Sequence, residues 1–122
     1  MARRKILLVD DAETILMMER MILGRDYDLI IAKDGQEAVE KARAERPDLV
    51  LLDIVMPVMN GIEACRMIRS DEATSSTPVI MVTTRGNEDN VKAAFESGCN
   101  EYVTKPINKA ELLGKIKKLL GE

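Results

Sequence analysis

Five short apolar runs punctuate the chain, near 5–9, 27–32, 48–52, 78–82 and 100–104, and each leads into a segment with helical periodicity, near 12–23, 35–45, 61–69, 88–96 and 109–120. A βα unit repeated in this way calls for a parallel sheet with helices on both faces. The runs Ile6-Leu7-Leu8-Val9, Leu49-Val50-Leu51-Leu52 and Val79-Ile80-Met81-Val82 are apolar at every position. Strands covered on both sides have this composition. Tyr27-Asp28-Leu29-Ile30-Ile31-Ala32 admits Asp28 and reads as a strand nearer an edge.

Helix starts carry one chemical device: Asp34, Asn60 and Asn108 each stand three residues before a glutamate, Glu37, Glu63 and Glu111. This is a capping-box variant, with a side-chain oxygen accepting from the backbone N–H three residues on and the glutamate reaching back. In the last helix Leu112, Leu113, Ile116, Leu119 and Leu120 form an apolar stripe for the sheet, with Lys109, Lys115, Lys117 and Lys118 elsewhere. Met17, Met18 and Met21 in the first helix read as core filler rather than a soft partner face. Ser70 to Pro78 is polar and small, and reads as an exposed loop entering the fourth strand.

With 122 residues and no linker-like stretch, one domain spanning 1–122 is expected. Nothing approaches the ~20 apolar residues of a membrane span. The basic Arg3-Arg4-Lys5 precedes an apolar run that stops at Asp10, too short for a secretory signal. A net charge of −3 and aromatics limited to Tyr27, Phe95 and Tyr102 argue against direct nucleic-acid binding. Cys65 and Cys99 have no paired spacing and there is no histidine, so they read as buried thiols of a reducing, cytoplasmic compartment.

The polar residues that end the apolar runs carry the chemistry. Asp10 and Asp11 follow the first, Asp53 the third, Thr83 the fourth, and Lys105 closes the fifth. Parallel strands bring their C-terminal ends to one edge, where ligands of open α/β sheets bind. A phosphate cradle needs a glycine-rich turn after the first strand. Asp10-Asp11-Ala12 stands there instead, so dinucleotide, P-loop and flavin phosphates are repelled. Three carboxylates without histidine or cysteine make a hard, oxygen-only site that suits Mg²⁺, with Mn²⁺ able to substitute. Without a metal their mutual repulsion predicts that at least one holds its proton more tightly than a free aspartate. Taken alone, Thr83 reads as a β-branched strand residue, and Lys105-Pro106 is a bond for which both cis and trans are open.

Four segments, in order and at matching spacing, resemble the receiver domains of bacterial two-component response regulators, the CheY-like proteins. They are Val9-Asp10-Asp11, the run from Leu52-Asp53-Ile54-Val55-Met56-Pro57 to Asn60-Gly61, Val82-Thr83-Thr84, and Tyr102-Val103-Thr104-Lys105-Pro106. The resemblance implies a flavodoxin-like (βα)5 doubly wound sheet of strand order 2-1-3-4-5. It implies that Asp53 accepts a phosphoryl group from the phosphohistidine of a sensor histidine kinase or phosphotransfer protein. Asp10, Asp11, Asp53 and the backbone carbonyl of Val55 would hold Mg²⁺, with Asp10 acting largely through a bound water. Thr83 and Lys105 would contact the phosphoryl oxygens, and Thr83 with Tyr102 would form a switch. That switch would reshape the surface of helix 4, strand 5 and helix 5, about 87–120, for a downstream protein. No separate turnover substrate is implied, so the chain reads as a phosphorelay signalling module rather than an enzyme. Val55 and Arg85 stand at the variable positions that flank the attacking water in the family, and an apolar Val55 predicts slower self-dephosphorylation than Asn. A magnesium phosphatase of the haloacid-dehalogenase type needs a second Asp two residues after the nucleophile, where this chain has Val55.

Overall fold

In the computed structural model, which describes residues 3–84 and 88–122, strands and helices alternate without exception. Their order is β1 (Lys5–Val9), α1 (Glu13–Leu23), β2 (Asp28–Ala32), α2 (Gly35–Glu45), β3 (Leu49–Asp53), α3 (Gly61–Ser70), β4 (Val79–Thr84), α4 (Glu88–Glu96), β5 (Glu101–Lys105) and α5 (Lys109–Leu120). All five strands are parallel in one sheet of order β2-β1-β3-β4-β5, the expected arrangement. β2 is an edge, and Asp28 sits exposed on it beside Arg3 at 3.5 Å.

Strand alternation divides the core into two layers. Leu7, Val9, Val50, Leu52, Val79 and Met81 pack toward α2, α3 and α4, together with Ala38, Cys65, Ile68 and Ala94. Ile6, Leu8, Leu49, Leu51, Ile80, Val82 and Val103 pack toward α1 and α5, against Leu16, Leu23, Leu112 and Ile116. Every residue of β3 is buried, as its continuous apolar composition requires. Both cysteines are buried free thiols.

The N-cap half of the expected device forms at all three helix starts. Asp34, Asn60 and Asn108 accept from the N–H groups of Glu37, Glu63 and Glu111 at 2.8, 2.9 and 2.9 Å. Glu37 reaches back one residue further than a capping box, accepting from the Lys33 N–H at 3.1 Å. Helix α1 has no side-chain cap of its own.

One expectation needs correction. Met17, Met18 and Met21 are 53%, 40% and 81% exposed and are not core. The inner stripe of α1 is instead Leu16, Glu19 and Leu23, spaced three and four apart, and a charged residue in the middle of it disguised the buried face. The 70–78 segment is exposed over most of its length, as expected, and is anchored at two points: Thr74 is buried and donates its hydroxyl to the Ile68 carbonyl at 2.7 Å, and Asp71 holds Arg43 at 2.6 Å.

Candidate functional site

Sheet register sets the heights of the strand-end groups. Val9 pairs with Leu52, Asp53 with Val82, Thr83 with Thr104, and Thr84 with Lys105. Asp10 therefore emerges one residue beyond the sheet beside Asp53, with Lys105 reaching back from β5. Oxygens of Asp10, Asp11 and Asp53 all lie within 4.8 Å of one another, with Asp10 and Asp53 buried and Asp11 exposed. The Lys105 ammonium stands 3.1 Å from Asp10 Oδ2 and 3.5 Å from Asp53 Oδ1. The Lys105-Pro106 bond is cis.

Backbone geometry fixes both aspartates. Asp10 Oδ1 accepts from the Ala12 N–H at 2.9 Å, which ties the carboxyl to the start of α1. Beyond Asp53, the N–H of Gly61 donates to the Ile54 carbonyl at 2.8 Å, and a Cβ on Gly61 would be driven into the Asp53 carbonyl oxygen. Gly61 is thus required by the close approach of the α3 start to the end of β3. Between them the Met59 N–H donates to the Pro57 carbonyl at 2.8 Å, a three-residue turn whose centre, Val58, has φ 69°.

The electrostatics are those of a strained acidic edge. Burial pushes the Asp53 carboxyl up to about 6, Asp10 adds to the rise, and Lys105 opposes it. Burial alone would lower Lys105, but Asp53 and Asp10 outweigh it and hold the ammonium above its usual range. One of the three carboxyls, Asp53, is thus raised in the expected direction, but burial is the larger cause and the repulsion the sequence implies is the smaller. Asp10 Oδ2, though 3.1 Å from Lys105, is not aligned for a hydrogen bond and is buried. Hard oxygens converging from three carboxylates, one of them buried without a hydrogen bond, fit a small divalent cation such as Mg²⁺ and offer a thiophilic metal nothing.

Thr83 is 2% exposed, and its hydroxyl donates to the Thr84 carbonyl at 3.4 Å. By alternation it faces the α2–α3–α4 layer, the layer into which Tyr102 also packs. The Tyr102 ring meets Phe95 edge-on, with centroids 5.9 Å apart at 88°, and Lys115 Nζ lies 5.3 Å from its centroid. The same ammonium holds the Tyr102 carbonyl at 2.6 Å. Val55 presents an exposed side chain two residues past Asp53, Met56 and Met59 pack into the core behind it, and Arg85 lies outside the described residues.

One residue beneath this edge escaped the sequence reading. Glu19 is wholly buried, and neither carboxyl oxygen has a hydrogen bond. Burial pushes it up to about 8, with Asp10 adding to the rise and Lys105 opposing it. The signal that marks it is the spacing Leu16-Glu19-Leu23, which reads as an inner stripe once the glutamate is allowed into it.

Residues 6–117 match the family described as the response regulator receiver domain. The transcriptional regulatory protein ResD of Bacillus subtilis is 43% identical over 117 residues, 95% of this chain and 48% of that protein. The alkaline phosphatase synthesis transcriptional regulatory protein PhoP of the same organism is 38% identical over 118 residues, covering 96% and 48%. The chain thus spans about half the length of these relatives. Among solved structures, the Vibrio cholerae chemotaxis protein CheY4 superposes with a TM-score of 0.90 at 32% identity, covering 98% of this chain and 100% of that one. The receiver domain of a Pseudomonas aeruginosa sensor histidine kinase, solved with a magnesium ion in its active-site cleft, gives 0.92 at 30% identity, covering 99% and 100%.

Proposed function

Because the chain belongs to the response regulator receiver domain family, we propose that its acidic edge takes a phosphoryl group on Asp53 from the phosphohistidine of a sensor kinase or phosphotransfer protein. One observation carries this reading: Asp53 is buried at a strand end, within 4.8 Å of the Asp10 and Asp11 oxygens and 3.5 Å from the Lys105 ammonium. An Asp53 oxygen attacks phosphorus as the P–N bond to the histidine breaks; water later attacks the same phosphorus, the P–O bond to Asp53 breaks, inorganic phosphate leaves and the carboxylate is restored. No general base is needed, because positioning and charge suffice for phosphoryl transfer. Mg²⁺, with Mn²⁺ as substitute, would be held by Asp10, Asp11, Asp53 and the Val55 carbonyl. When bound it would neutralise charge on the transferring oxygens. Lys105 supplies the remaining positive charge, and the Thr83 hydroxyl supplies a hydrogen bond.

The phosphoryl group adds roughly 1.5 to 2 negative charges at Asp53. Thr83 is drawn toward it, and its departure opens space in the layer that Tyr102 shares. Tyr102 with α4, β5 and α5 is the surface that a downstream protein reads. The chain acts as one receiver unit, without a separate turnover substrate. Among the described residues no helix is long and apolar enough to cross a membrane, and the buried thiols suit the cytoplasm.

Intact-mass analysis after incubation with Mg²⁺ and a small phosphodonor tests the assignment. The parent gains one phosphoryl adduct and Asp53→Asn gains none. No adduct on the parent, or an equal adduct on both, refutes it.

A further inference from the structure

Glu19 has no part in the chemistry above, yet among the described residues it alone leaves both side-chain oxygens buried without a hydrogen bond. A carboxyl kept in that state lowers stability, since an apolar side chain in the same space would pack at no polar cost. Its position explains why it is there. Leu16 and Leu23, either side of it on the inner stripe of α1, belong to the layer between the sheet, α1 and α5. Strand alternation sends Asp10 toward that layer beyond Ile6 and Leu8, Asp53 beyond Leu49 and Leu51, and Lys105 beyond Val103. Helix side chains lean toward the helix N-terminus, and α1 begins three residues after Asp10. The Glu19 chain therefore leans toward the underside of the Asp10–Lys105–Asp53 group, and the charges of all three act on it.

Lys105 now holds Asp10 and Asp53, the oxygens a divalent cation must take. An ammonium has three donors and no acceptor, and a largely buried one that loses its partners needs another. We propose that Glu19 is a positioning residue: the alternative acceptor to which Lys105 turns when a cation takes the oxygens of Asp10 and Asp53. This rests on the reading of Asp10, Asp11 and Asp53 as a cation site. In that exchange Lys105 ceases to compete with the incoming ion, and an arriving phosphoryl group, with its fresh negative charge, draws the ammonium back to the edge. Without an acceptor beneath it, the ammonium stays on the carboxylates and holds the ion off.

Mg²⁺ binding by isothermal titration calorimetry, together with urea unfolding in EDTA, on Glu19→Leu, Glu19→Met, Glu19→Gln and Asp11→Asn, tests the proposal. The Leu and Met variants are expected to bind Mg²⁺ about tenfold more weakly than the parent while unfolding at higher urea in EDTA. Glu19→Gln keeps an acceptor oxygen and is expected within about twofold of the parent. Parent-like Mg²⁺ affinity in either apolar variant overturns the proposal. So does a loss in Glu19→Gln as large as in Glu19→Leu. Failure of both apolar variants to fold in EDTA also counts against it, because the proposal has the carboxyl burdening the metal-free fold. A parent that binds no Mg²⁺, or an Asp11→Asn variant that binds it undiminished, refutes the cation site itself rather than the part assigned to Glu19.

Discussion

Replacing Asp53 by Asn should stabilise the metal-free protein, and by an amount that depends on pH. Asp53 is 5% exposed and its carboxyl is pushed from 3.8 up to about 6, so the native state holds this proton more tightly than the unfolded chain. A carboxyl of this kind contributes stability below about pH 4 and loses that contribution as pH climbs through about 6. The interval corresponds to roughly 3 kcal/mol at ~1.4 kcal/mol per pH unit. The pull of Lys105 at 3.5 Å is already contained in that net rise; what offsets about 1 kcal/mol is the amide itself, whose NH2 group stands where a carboxyl oxygen could accept. Urea unfolding in EDTA should therefore show Asp53→Asn more stable by about 1–2 kcal/mol near pH 8 and equal to or below the parent near pH 4. Saturating Mg²⁺ should invert the order near pH 8, since the parent gains about 2.7 kcal/mol at a hundredfold excess over Kd and the variant gains little. A gain of the same size at both pH values, or a destabilised variant near pH 8 in EDTA, would show that the buried Asp53 charge does not burden the metal-free fold.

Three further outcomes follow from particular contacts. Lys105→Met leaves two buried carboxylates facing each other without their ammonium, and should lower metal-free stability by about 3 kcal/mol, with Mg²⁺ restoring part of it in the same urea titration. Gly61→Ala forces a methyl group into the Asp53 carbonyl oxygen; it should cost about 1–3 kcal/mol and slow phosphorylation by a small donor, because the displaced atoms belong to the site. Val58 holds a β-branched side chain at φ 69° with 78% exposure, so Val58→Asn should raise stability by about 1 kcal/mol, read as a higher urea midpoint at unchanged slope.

The elements, their parallel pairing and the make-up of the acidic edge were legible in the chain alone. Its apolar runs are continuous because both faces of the sheet are covered. Asp10, Asp11, Asp53 and Lys105 stand immediately beyond them, so any parallel arrangement gathers these residues. Capping at Asp34, Asn60 and Asn108 was legible for a similar reason, as each side chain acts within one turn of its own backbone. Other features depend on groups distant in the chain and had no local signature. Lys105 approaches Asp10 more closely than Asp53, a preference decided by sheet register and by the Ala12 N–H that orients Asp10. The glycine at 61 reads locally as a helix start, whereas the structure makes it the place where α3 meets the backbone of Asp53. Helix α1 shows the division most sharply: three methionines have the composition of a core, and a glutamate has that of a surface. Burial, however, is decided by which side of the helix the sheet occupies. Packing turned Met17, Met18 and Met21 outward and closed Glu19 in beneath three charged neighbours, because a helix has one inner face and Leu16 and Leu23 had already claimed it.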